Sequence, residues 1–186
     1  MTRLQGELHG DPPADPSTAD LCDRFGDRAS VCEAPLVSFG GRSAARGRIA
    51  CLRTFEDAAL LRTMLGRPGD GRILVVDGGG SIRCALLGEN MARLGMANGW
   101  AGVVVNGAVR DVDALKQIDF AVLALGKTPK RGGKLGVGEQ DIEIRFGGAR
   151  FVRGYFVCLD SDGLIVMPDE PAFEPAFEPA FERVRS

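Results

Sequence analysis

The sequence predicts a mixed α/β fold: a parallel βαβ core flanked by antiparallel strands. Three short β-branched or apolar runs (72–77, 101–106 and 120–125) are separated by stretches of helical character. That alternation is the pattern of parallel strands joined by crossover helices. Four shorter alternating runs then follow (142–146, 149–152, 155–159 and 163–166), divided by glycine turns as antiparallel strands are. The 186 residues suffice for one domain with a well-buried core.

Taken in order, residues 1–16 are polar, end in DPPADP and read as a flexible leader. Residues 17–167 are the folded body. It opens on a helix start, where Ser17 or Thr18 can cap and Asp20 sits in the first turn. Phe39-Gly40-Gly41-Arg42-Ser43 is a turn, and Arg48 to Arg53 reads as a strand. Glu56 to Leu65 carries Leu60, Leu61, Met64 and Leu65 at helical spacing. The run from Arg72 to Asp77 ends in Gly78-Gly79-Gly80-Ser81, and a helix is expected from Glu89 to Asn98, stopped at Gly99. Ala101 to Asn106 is a second buried strand, a short helix spans Val112 to Gln117, and Phe120 to Leu125 is the third strand. Residues 168–186 are a low-complexity tail with PAFE three times; Phe173, Phe177 and Phe181 alternate with prolines that oppose a helix.

Composition narrows the function. Net charge is −2 and the pI about 5.5, so no global attraction to nucleic acid or anionic membrane is expected. No stretch approaches the roughly 18 apolar residues of a spanning helix, and the N-terminus lacks a signal-peptide core, which makes the cytoplasm the expected location. Cys22, Cys32, Cys51, Cys84 and Cys158 form no C-x-x-C and read as reduced core residues. His9 is the sole histidine and lies in the leader, which argues against a Ser-His-Asp triad. The glycine run 78–80 also lacks the spacing of a dinucleotide fingerprint.

What remains is a constellation at the carboxyl ends of two parallel strands, where α/β sheets gather ligands. One loop leads to Gly88-Glu89-Asn90-Met91 at a helix start, whose backbone N–H groups favour a carboxylate. The other is Arg110-Asp111: a planar guanidinium fork for a carboxylate beside a hard oxygen ligand for Mg²⁺ or Mn²⁺. Adjacent strands would bring the two together. The cationic stretch Lys127 to Lys134 reads as a solvated loop, with anion or RNA-phosphate binding as the alternative; it has no interleaved aromatics for base stacking.

Beyond these local readings, the chain resembles the RraA-like family of ribonuclease E regulators and class II 4-hydroxy-4-methyl-2-oxoglutarate aldolases. The likeness is carried by Phe39-Gly40-Gly41, Phe55-Glu56-Asp57, Val75 to Ser81, Asn98-Gly99-Trp100-Ala101-Gly102, Gly107 to Asp113 and Asp160-Ser161-Asp162-Gly163. The resemblance implies a swivelling β/β/α three-layer fold and a homotrimer, or two stacked trimers, with pockets between subunits. It implies that Gly88 to Met91 and Arg110 hold pyruvate, and that Asp111 binds the divalent metal. The implied reactions are aldol cleavage to pyruvate and oxaloacetate decarboxylation, through a metal-stabilised enolate. One departure stands out: Glu89 occupies the position, twenty-one before the arginine, where the aldolase pattern has Asp. Glu89 is expected to tune metal-bound water. Aldolases also draw an acid from a neighbouring subunit's terminal segment; PAFE repeats replace that segment here, and the resemblance assigns the acid to no residue of the tail. A metal-dependent lyase is the first reading; a protein that docks on ribonuclease E and inhibits it is the second.

Overall fold

The computed structural model describes residues 16–171. The expected leader apart from Pro16, its His9, and the PAFE tail from residue 172 with Phe173, Phe177 and Phe181 lie outside the described residues.

The described chain runs α1 (Thr18–Phe25), β1 (Ser30–Val31), β2 (Val37–Ser38), β3 (Ala45–Arg53), α2 (Ala59–Leu65), β4 (Ile73–Asp77) and β5 (Ala85–Leu87). It continues with α3 (Glu89–Ala97), β6 (Gly102–Val109), α4 (Val112–Leu115), β7 (Ala121–Lys127), β8 (Glu139–Gln140), β9 (Ile144–Phe146), β10 (Ala149–Phe151), β11 (Phe156–Leu159) and β12 (Leu164–Met167). The main sheet has the order β1-β12-β11-β3-β4-β6-β7-β2, with β5 added to β6 and β8 to β3. Strands β3, β4, β6 and β7 are mutually parallel; β11 and β12 extend the sheet antiparallel from β3.

The parallel strands are buried on both faces, and their side chains sort by the two-residue period of a strand. Leu74, Val76, Val103 and Val105 face a layer of helices that contributes Leu61, Leu65, Ala92 and Leu115. Ile73, Val75 and Val104 face the opposite way, onto Ile144 and Phe151 of the β9–β10 hairpin and Val157 and Leu164 of the antiparallel strands. Helices, parallel sheet and β layer make the three-layer β/β/α arrangement expected. Each fully buried aliphatic side chain contributes about 1.5–3 kcal/mol.

Helix α1 seals the antiparallel end. Ser17 and Asp20 form a reciprocal capping box, and Leu21 packs with Phe156, Cys158, Ile165 and Met167. Asp160, in the turn between β11 and β12, accepts from the Thr18 N–H and hydroxyl at 2.7 and 2.6 Å. Burial would raise the Asp160 carboxyl's pKa, but these donors and two further backbone N–H groups outweigh it and lower the value. Cys32, Cys51, Cys84 and Cys158 are buried and none of the five cysteines is in a disulfide, as expected of small core residues. Burial pushes the Cys51 thiol up to about 12.

The elements differ from expectation where local pattern is weak. Strand β3 begins at Ala45, earlier than the expected Arg48, because Ala45 to Arg48 pair antiparallel with β11 while Ile49 to Arg53 pair parallel with β4. Helix α2 begins at Ala59 and not Glu56, since Glu56 has φ 54° and the Asp57 carboxylate accepts the Ala59 N–H at 3.0 Å. Strand β5, three residues long, was not anticipated.

Candidate functional site

The carboxyl ends of β5 and β6 meet as the sequence suggests, though by an unexpected route. Beyond β4, Asp77 holds the glycine loop: its carboxylate accepts from the Gly79 N–H and the Asn106 amide, each at 3.0 Å. The chain then returns as β5, which pairs parallel with the far half of β6. This return delivers Gly88 to the start of α3 beside Arg110, whose N–H donates to Leu87 O at 2.9 Å.

Asp111 occupies the left-handed region (φ 59°, ψ 39°), which Asp tolerates better than most residues. Its carboxylate does not cap α4. It turns instead to α3, where Oδ2 accepts the Glu89 N–H at 3.3 Å, while Oδ1 accepts from Arg110 Nε at 3.2 Å. The two side chains are 37% and 38% exposed, so the pair stays open to a ligand. Gly88 allows this closeness: a Cβ there would stand 2.6 Å from Asp111 Oδ2 and 2.8 Å from Arg110 Cγ.

Gly88, Asn90, Met91, Arg110 and Asp111 all line one cavity of about 540 Å³. Glu89 does not. Its carboxylate pairs with Arg93 Nε at 2.9 Å, one turn along α3, and only its backbone N–H faces Asp111. Of the first-turn N–H groups, that of Glu89 is engaged by Asp111 and that of Met91 by Gly88 O at 3.0 Å; Asn90 supplies the remaining one.

The rest of the wall includes Arg62, which the sequence does not single out, and part of the stretch whose preferred reading is a solvated loop and whose alternative is anion binding. Arg62 from α2, with Arg131 and Lys134 from the stretch after β7, also line the cavity. That stretch is no free loop. The Ala85 N–H donates to Lys130 O at 2.8 Å and the Gly132 N–H to Ala85 O at 3.0 Å, so its backbone borders β5. The Gly133 N–H donates to Glu56 O at 2.7 Å on the other side. Asp57, 4% exposed, fixes the far end by accepting from the N–H groups of Leu135 and Gly136. Burial would raise the Asp57 pKa, but its three backbone donors prevail and lower it. The one available signal was the four cations among glycines at 127–134.

As for a metal, no group of three His, Cys, Asp or Glu that could hold an ion occurs among the described residues. The donor set at the cavity is a single hard carboxylate with acceptor capacity left over from its two hydrogen bonds. That suits an ion of the Mg²⁺ kind, which keeps several waters and takes one or two carboxylates, and does not suit a closed zinc cage.

Comparison with known proteins gives a consistent scaffold and several names. The family described as RraA-like (Aldolase/RraA) matches residues 18–166. A protein of Thermus thermophilus named 4-hydroxy-4-methyl-2-oxoglutarate aldolase is 46% identical over 157 residues, covering 83% of this chain and 94% of that protein. A solved structure described as the RNA-processing inhibitor RraA from Thermus thermophilus superposes with a TM-score of 0.82 at 44% identity, over 85% of this chain and 96% of that one. Another, described as an S-adenosylmethionine:2-dimethylmenaquinone methyltransferase from Geobacillus kaustophilus, matches at 41% identity and a TM-score of 0.82, over 83% and 96%. No described helix is long and apolar enough to cross a membrane.

Proposed function

The chain belongs to the RraA-like family, and on that premise we propose that it is a divalent-metal-dependent lyase cleaving small 2-oxo acids to pyruvate. The proposed substrates are of the 4-hydroxy-4-methyl-2-oxoglutarate type, with oxaloacetate decarboxylation as a companion activity. The observation that carries this is the convergence of Gly88, Arg110 and Asp111 on one cavity. A relative 46% identical that bears the aldolase name supports it.

In this reading Arg110 clamps the substrate carboxylate by its guanidinium fork, assisted by the Asn90 N–H at the start of α3. Asp111 would hold Mg²⁺ or Mn²⁺, an ion that supplies positive charge where a 2-oxo oxygen gains negative charge as the carbon–carbon bond breaks. Gly88 keeps the backbone close enough for these groups to share one ligand. Glu89 would orient water near Asp111 after leaving Arg93; an exposed i,i+4 pair of this kind is worth only about 0.3–0.5 kcal/mol, so the exchange is easy. A homotrimer or stacked pair of trimers, with an acid from the neighbouring subunit, belongs to the same proposal. So does a cytoplasmic location, with which five cysteines outside any disulfide agree.

The test is thermal protection. With Mg²⁺ present, pyruvate should raise the melting temperature, because a ligand that binds only the folded state stabilises it. Arg110→Ala should abolish the shift; a shift that survives that substitution rules the clamp out. The second reading, inhibition of ribonuclease E by direct docking, draws on the neighbour described as an RNA-processing inhibitor. It predicts slower RNA cleavage by ribonuclease E when this protein is added, with or without pyruvate.

A further inference from the structure

The cavity carries more positive charge than a pyruvoyl group needs. Arg62, Arg110, Arg131 and Lys134 line it, against one carboxylate, Asp111. Arg110 is paired with Asp111, whereas Arg62, Arg131 and Lys134 have no ion-pair partner among the described residues. Cations left unneutralised around a concave wall attract a second anionic group.

Their backbones are also fixed. Arg131 bridges Ala85 in parallel pairing and Gly133 bridges Asp57 in the same sense, so the 130–133 segment lies as an extra strand between β5 and the chain entering α2. The buried Asp57 carboxylate ties both neighbours together: it holds the Leu135 and Gly136 N–H groups on one side and the Ala59 N–H, at the start of the helix bearing Arg62, on the other. The Asp57 carboxylate thus anchors the segments next to Arg62 and Lys134, while the backbone bonds to Ala85 anchor Arg131. Arg131 lies alongside Ala85, at the opposite end of β5 from Gly88, about 10 Å along the strand at its usual rise. The two ends of the cavity are thus both cationic and separated along β5.

We propose that Arg62, Arg131 and Lys134 form a second anion subsite that binds the distal carboxylate of a dicarboxylic 2-oxo acid, with Asp57 positioning Arg62 and Lys134. The inference rests on the lyase reading for the placement of the 2-oxo end at Arg110. It goes further in assigning substrate selection, dianion over monoanion, to residues outside that clamp. Arg131 and Lys134 are exposed, so replacing them leaves the core untouched.

Calorimetric titration in Mg²⁺ with two stable probes, pyruvate and 2-oxoglutarate, tests the subsite without relying on turnover. The wild type is expected to bind 2-oxoglutarate about tenfold more tightly than pyruvate, a modest advantage for an added charge contact in partly exposed surroundings. Arg131→Ala combined with Lys134→Ala should remove that advantage and leave the pyruvate Kd within about twofold. Raising the salt concentration should shrink the advantage in the wild type alone. Asp57→Asn should lower 2-oxoglutarate affinity selectively, whereas a merely structural defect would weaken both probes alike.

Equal wild-type affinity for both probes, or equal loss for both in the double variant, overturns the subsite. Pyruvate binding that Arg110→Ala abolishes, without preference for 2-oxoglutarate, overturns the subsite and leaves the clamp standing. Binding of 2-oxoglutarate that depends on Arg131 and Lys134, with no pyruvate binding, supports the subsite and removes the pyruvate clamp. Failure of both probes to bind the wild type overturns both.

Discussion

The Glu89 N–H and the Asp111 carboxylate, 3.3 Å apart, join the start of α3 to the end of β6. The contact makes Asp111 a hinge pin between two chain segments as well as the candidate metal ligand. Its backbone conformation and its charge are therefore separable by substitution.

Asp111→Asn keeps a side chain that tolerates the left-handed region, so its melting temperature should stay within a few degrees of the wild type. Asp111→Ala adds backbone strain of about 1 kcal/mol, roughly 2–4 °C for a domain of this size. Both should lose Mn²⁺ binding, read by the ion's paramagnetic resonance signal. Retention of Mn²⁺ affinity in Asp111→Asn would take the metal away from this residue.

Gly88→Ala places a Cβ against Asp111 Oδ2 and Arg110 Cγ. Since φ at Gly88 is −148°, the backbone itself accepts alanine and the penalty falls on those two side chains. Loss of pyruvate protection with a nearly unchanged circular dichroism spectrum is expected. Unaltered protection would mean that Arg110 and Asp111 need not lie so close to the start of α3.

Glu89→Gln and Arg93→Ala separate the two tasks of Glu89. If its carboxylate orients water during turnover, Glu89→Gln should lower kcat about tenfold with little change in KM, the scale of losses from outer metal-site partners. Arg93→Ala removes only an exposed pair and should leave kcat within about twofold. The reverse ordering would make the Glu89–Arg93 pair the functional state.

Asp57 gives an acid-dependent stability. Its pKa is lowered in the folded chain, so its contribution is complete above the unfolded value of about 3.9 and disappears as pH falls through the folded value. The melting-temperature gap between wild type and Asp57→Asn should be widest near neutral pH and close below about pH 4. A gap that persists unchanged to pH 3 would show that the carboxylate's charge is not what holds the Leu135 and Gly136 N–H groups.

Much of this was legible in the sequence where burial imposes a pattern. Strands β4, β6 and β7 are apolar runs because both faces are covered, and α3 declares itself between Gly88 and Gly99. Gly88, Arg110 and Asp111 followed from strand ends and from the family likeness. The polar first half of β3 shows no apolar alternation, and the three residues of β5 are too few to display a period. Arg131 and Lys134 read as a solvated loop because their cationic, glycine-rich stretch has no apolar pattern. The place of Lys134 depends on Asp57, whose bond to the Leu135 N–H spans 78 positions, and no local pattern announces such a contact.

Oxaloacetate decarboxylation in Mn²⁺, with an EDTA control and with Asp111→Ala beside the wild type, tests the central assignment most directly. Pyruvate release well above the metal-only blank, abolished by EDTA and by Asp111→Ala, is the expected result. Wild-type release no faster than the blank, or unchanged in Asp111→Ala, would contradict a metal-dependent lyase centred on Arg110 and Asp111.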